Sequence, residues 1–127
     1  MSESNQNHAT HLFQVEDKTF KALMIFNLFR MAISAVITLT SFEQLIFLME
    51  NGYSLYSFMA FAGLILYVAI FFTTMTLNKN TVLLQIILLI ITIGSTIIAL
   101  TAGVSQIPFI DIAMTIVIYK YRHFFTR

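Results

Sequence analysis

The chain alternates between short polar stretches and long apolar runs, and the runs are continuous rather than periodic. After a polar leader of about 19 residues, MSESNQNHATHLFQVEDKT, four apolar segments follow. The first covers about 22–42, broken only by Asn27 and Arg30 among its larger polar groups, and continues as an interfacial turn through Leu48 and Met49. The second covers 53–77, the third 81–104 and the fourth 107–125. A bilayer core about 30 Å thick needs roughly 20 helical residues at about 1.5 Å each, so each segment has the length of a transmembrane helix. Strands of a membrane barrel would instead alternate apolar and polar positions over about ten residues. The helix is also the local way to pair every backbone donor and acceptor inside lipid. The connections Asn51-Gly52, Asn78-Lys79-Asn80 and Gly103 to Gln106 are short and carry turn residues. Short connections make consecutive helices antiparallel neighbours. The pattern therefore predicts an all-α polytopic membrane protein: a polar tail over 1–19 and an up-down bundle of four transmembrane helices over 20–127.

Composition narrows the class further. Of 127 residues, 58% are hydrophobic and 10% charged, against about 45–50% and about 25% in ordinary soluble domains. A soluble enzyme of this size would have to expose much of that apolar surface to water. The absence of cysteine removes disulfides, thiolate metal sites and a cysteine nucleophile. The net charge of +1 gives no nucleic-acid footprint. The leader lacks a basic start, an apolar stretch and a small-residue cleavage site, so it does not read as a cleavable signal peptide; it reads as a mostly disordered cytoplasmic tail, with Asp17 or Thr19 capping the first helix. Lys18, Lys21, Arg30, Lys79, Lys120, Arg122 and Arg127 all fall on one side if both termini are cytoplasmic, and the opposite loops carry Glu43 and Glu50. The positive-inside rule then predicts a multi-pass protein of the bacterial inner membrane with both ends in the cytoplasm.

Few groups could carry chemistry. Arg30 lies about 12 Å inside the first span if that span starts near Ala22. It reads first as an anchor snorkelling to the interface, and alternatively as a charge facing the bundle interior, with Asn27 as a same-face partner three residues earlier. Asp111 lies about four residues into the fourth span, in the first turn after Pro108. There a carboxylate meets interfacial water and the helix dipole, or alternatively responds to protons or cations. Measured this way the depths of Arg30 and Asp111 differ by about 12 Å, so a direct ion pair needs the first helix shifted inward by a turn, and a water-bridged link is the nearer expectation. Ser95, Ala99 and Gly103, with Gly94 beside them, make a small-residue ladder suited to close helix packing, within the bundle or against another protein. His8 and His11 read as parts of a solvated tail, and Gln85 and Gln106 as groups at span ends bonded to the interface. No catalytic set, phosphate loop, metal site or haem ligation pattern is present, and no cofactor is expected.

The stretch KALMIFNLFRMAISAVI, with its Phe29-Arg30 pair, resembles the opening of the N-terminal membrane domain of PilS-type sensor histidine kinases. The layout agrees over residues 16 to 118: a short polar leader, an Arg low in the first helix, an acidic outer turn (Glu43 and Glu50 here), and a small-residue loop after the third helix (Ala102-Gly103-Val104 here). The chain lacks the acidic residue that the family carries early in its third helix, and it contains no phosphoacceptor histidine or ATP-binding domain. The resemblance thus implies a sensory or partner-binding membrane module without kinase activity. The expected function is a non-enzymatic membrane protein whose partners are the bilayer and another membrane protein or a second copy of itself. The alternatives are a small oligomeric transporter, comparable in size to the small multidrug-resistance family but with Arg30 where that family has a Glu, and an immunity-type protein against a pore-forming toxin.

Overall fold

The computed structural model describes residues 11–101, 103 and 108–126. It is all-α over these residues, with helices α1 (Lys18–Thr40), α2 (Phe42–Glu50), α3 (Ser54–Met75), α4 (Thr81–Thr101) and α5 (Phe109–Lys120). Single-turn 3-10 segments at Leu12–Gln14 and Arg122–Phe124 flank the set. Several of these helix ends have a local cause. The Asp17 carboxylate accepts from the Phe20 backbone N–H at 2.9 Å and caps α1. Asn51 and Gly52, the latter with φ +92°, turn the chain from α2 into α3. After α3, Leu77 takes the left-handed conformation (φ 53°) and the Asn78 N–H reaches back to the Thr73 carbonyl at 2.8 Å, a C-terminal cap closed without glycine.

Three of these helices, α1, α3 and α4, are long and apolar enough to cross a bilayer. The fourth expected span is corrected: α5 has 12 residues, about 18 Å at 1.5 Å each, short of a hydrocarbon core of about 30 Å. Residues 104–107, the expected start of that span, lie outside the described residues. The continuation expected through Leu48 and Met49 is a helix rather than a turn: after a break at Ser41 the segment runs on as α2, nine residues that pack against α3, with the Ser57 hydroxyl donating to the Leu45 carbonyl at 2.6 Å.

Packing runs α1 against α3, α3 against α4, and α4 against α5. The interior is layered. At the basic end Phe20 stacks on Phe124 (centroids 4.2 Å) and meets Tyr121 and Phe125 at 5.5 and 5.6 Å. Next come Met24, Leu77 and Ile118, all buried. The leader does not float free in its described part: Leu12 and Val15 are buried in this same cluster. Residues 1–10, including His8, lie outside the described residues. Further along, Met31, Ile70 and Leu88 form a second apolar cluster, each at most 1% exposed. By contrast Phe29, Ile65 and Ile90 are 66, 69 and 64% exposed. Apolar outward faces on three long helices suit lipid as the surrounding solvent.

Candidate functional site

Arg30 and Asp111 meet directly. Arg30 Nη1 lies 2.8 Å from Asp111 Oδ1, and the two side chains are 17 and 21% exposed. Asn27 Oδ1 accepts two longer contacts from the same guanidinium, both at 3.4 Å. The depth argument that kept the two charges apart is corrected by register. Phe20 of α1 packs on Tyr121 at the end of α5. Arg30 is ten residues up α1 from Phe20, and Asp111 is ten residues back along α5 from Tyr121, so each stands about 15 Å above the aromatic cluster. Counted down from an outer surface Asp111 lies high in the membrane; the short α5 places it instead nearly three turns above the basic end. The α5 dipole still favours the carboxylate, which stays in the first turn.

One turn below the Met31, Ile70 and Leu88 cluster, helical spacing brings Asn27, Thr74 and Gln85 to a common level on α1, α3 and α4. All three are fully buried, and Asn27 Nδ2, Thr74 Oγ1, Gln85 Nε2 and Gln85 Oε1 have no hydrogen-bond partner. Gln85 is therefore not the interfacial group expected from its place near a span end; it is a core residue. A polar layer thus sits between two apolar ones, with the ion pair at its upper edge.

On the other side of the Met31, Ile70 and Leu88 cluster, toward the end that carries Glu43 and Glu50, lies a cavity of about 250 Å³. Its walls come from α1, the Ser41 break, α2, α3 and α4. Among the described residues α5 supplies none of the lining, because Phe109 begins α5 barely above the level of Arg30. Tyr67 and Leu88 both line it, and the Tyr67 phenol lies in the electrostatic field of both Arg30 and Asp111.

The small-residue ladder divides. Gly94 and Ser95 face α3: a Cβ built on Gly94 would stand 3.1 Å from Met59 Cε, and the Ser95 hydroxyl contacts Met59 Sδ at 3.6 Å. Ala99 is half-buried, and Gly103 is exposed at φ +85° with open space around it. The ladder thus serves the α3–α4 contact at one end and a turn at the other. Among the described residues no cluster of three potential metal ligands is found.

Sequence reading missed Thr74, Tyr67 and the burial of Gln85. A signal was present on α1: Asn27, Arg30, Ser34, Thr38 and Ser41 recur every three or four residues, one polar stripe on an otherwise apolar helix. Thr81, Gln85, Thr92 and Ser95 repeat the pattern on α4 with one apolar gap at Leu88. Comparison with protein-family models, with curated proteins and with solved structures finds no match to this chain.

Proposed function

We propose that this chain is a non-enzymatic, multi-pass membrane module that senses or binds another membrane protein through helix contacts, seated in a bacterial inner membrane with both termini in the cytoplasm. The observation that carries the reading is the Arg30–Asp111 pair. It neutralises the deepest charge of the bundle and ties the first long helix to the short last one. A sliding of α1 against α5 by one turn, about 5.4 Å, would break it. Such a contact is the two-state element that a sensory bundle needs if it is to pass a signal to a neighbouring helix. The resemblance of residues 16 to 118 to the membrane domain of PilS-type sensors supports the same reading. Photo-crosslinking from Ile65 and Ile90 in native membranes tests it. Discrete adducts with a second membrane protein or with the chain itself are expected; a chain that stays monomeric and uncrosslinked in native nanodiscs overturns it.

A second reading, a small oligomeric transporter, is favoured by the inward polar stripe of α1 and by the unpartnered atoms of Asn27, Thr74 and Gln85, since intramembrane polar groups commonly mark a solute path. Flux into liposomes that Arg30→Ala abolishes supports it, and no flux across a broad solute panel removes it.

A further inference from the structure

We propose that the cavity at the acidic end of the bundle is a binding site for a small organic cation. Its size fits: about 250 Å³ is the liquid volume of about eight waters at roughly 30 Å³ each, enough for an ammonium group with a few methyl or methylene carbons. The lining fits as well. Tyr56 and Tyr67 bring two aromatic rings, and Thr38, Ser41, Thr92 and Ser95 bring hydroxyl oxygens. Aromatic faces attract a cation through the ring quadrupole, most strongly where water is scarce, and hydroxyl oxygens accept from ammonium N–H groups. No lining residue is charged, so a hydrated metal ion finds no carboxylate to replace its shell, and an anion finds no positive group.

The surrounding electrostatics have the matching sign. From Met31 to Asn78 the sequence has no Lys or Arg, and its only charges are Glu43 and Glu50. Both glutamates lie on α2, the helix that gives Leu45 to the cavity wall. A cation entering there approaches from the end that carries both glutamates, while all the lysines stand at the other end. The site deepens the sensory part of the proposed function by naming the ligand class.

The cavity contains its own reporter, since Met59 lines it. The full-length chain, labelled with ¹³C on its methionine methyl groups and held in nanodiscs, is titrated with tetramethylammonium chloride. Sodium chloride at equal ionic strength and tert-butanol, a neutral molecule of similar shape, serve as controls. Met59→Leu assigns the resonance. A saturable shift of the Met59 methyl signal with tetramethylammonium alone is expected. Tyr56→Ala and Tyr67→Ala weaken binding about tenfold each, whereas Tyr56→Phe and Tyr67→Phe, which keep the ring, stay within about twofold. Ala60→Leu, which fills the cavity, abolishes the shift. Glu43→Gln with Glu50→Gln weakens binding severalfold at low salt and little at high salt. A linear shift, an equal shift with tert-butanol, or full binding by Ala60→Leu or by both alanine variants overturns the proposal. Because Tyr56 lies near the start of α3 and Tyr67 in its middle, the Tyr56 variant remains decisive if Tyr67→Ala fails to fold. Partner cross-linking is read separately: a saturable shift without adducts retains the site and removes the partner reading, and adducts without a shift do the reverse.

Discussion

Removing the Asp111 carboxylate leaves a guanidinium in the middle of the bundle with only the two 3.4 Å contacts to Asn27. Two magnitudes compete in setting the cost. Interhelical polar contacts in a membrane average about 0.6 kcal/mol and reach about 1.7. An Arg without a partner at mid-depth costs about 2.5–3.5 kcal/mol on insertion scales, and breaking a buried ion pair by deleting one partner costs about 3–5. Arg30 stands about 18 Å along α1 from Lys18, twelve residues at about 1.5 Å each, and its side chain is 17% exposed. Its position is held by packing, so snorkelling recovers part of the penalty only. The second magnitude therefore decides: Asp111→Ala lowers the unfolding free energy by about 2–3 kcal/mol, several times the worth of the contact itself. Arg30→Ala costs less, about 1–2 kcal/mol, because a carboxylate in the first turn of α5 keeps the favourable helix dipole. The double variant Arg30→Leu, Asp111→Leu returns to within about 1 kcal/mol of the parent. Steric trapping in bicelles measures all four corners of the cycle. A double variant that loses the full sum of the two single effects, or an Asp111→Ala cost below about 0.5 kcal/mol, refutes the pairing and with it the register that the aromatic cluster imposes.

Other positions are tested in the same assay. Ser57→Ala removes the 2.6 Å bond to the Leu45 carbonyl and is expected to cost about 1 kcal/mol, detaching α2 from α3 without unfolding the long helices. Gln85→Leu is expected to be neutral or stabilising by about 1 kcal/mol, because neither amide atom of Gln85 has a partner to lose. Leu77→Gly relieves the left-handed backbone by about 1 kcal/mol but removes a side chain that is 2% exposed; the burial term, about 2–3 kcal/mol, wins and the variant is less stable. The parent chain has no cysteine, so Asn51→Cys and Lys79→Cys report sidedness cleanly: an impermeant thiol reagent outside intact cells labels the first and not the second if the basic end faces the cytoplasm.

Helix identity was legible because lipid makes it so: long runs without charge have one local way to satisfy their backbone. Segments 53–77 and 81–104 differ from α3 and α4 by no more than three residues at any end. The fourth segment misled because length was counted in apolar residues, and apolarity does not say where a helix begins. Ile107 and Pro108 continue the apolar run, yet α5 starts at Phe109 and gives way to a 3-10 turn after Lys120. The interior polar groups were half legible. The stripe from Asn27 to Ser41 announces an inward face of α1, but which residues oppose it depends on interhelical register, and register here is set by Phe20 stacking on residues about one hundred positions away.

That dependence gives the short last helix its significance. The 12-residue α5 begins only two residues before Asp111 and is anchored at its other end by the aromatic cluster. It holds a carboxylate level with Arg30, and its described residues take no part in lining the cavity on the side of Glu43 and Glu50. Lengthening α5 by a helical turn of alanines after Pro108 leaves the aromatic cluster and the ion pair in place, because both are anchored from the basic end. The added turn, about 5.4 Å long, rises beside the lower part of the cavity. The expected result is unchanged Arg30–Asp111 coupling in the double-mutant cycle together with loss of the Met59 response to tetramethylammonium. If the insertion instead abolishes the coupling, the register is set from the opposite end of the bundle, and Asp111 owes its depth to the chain above it.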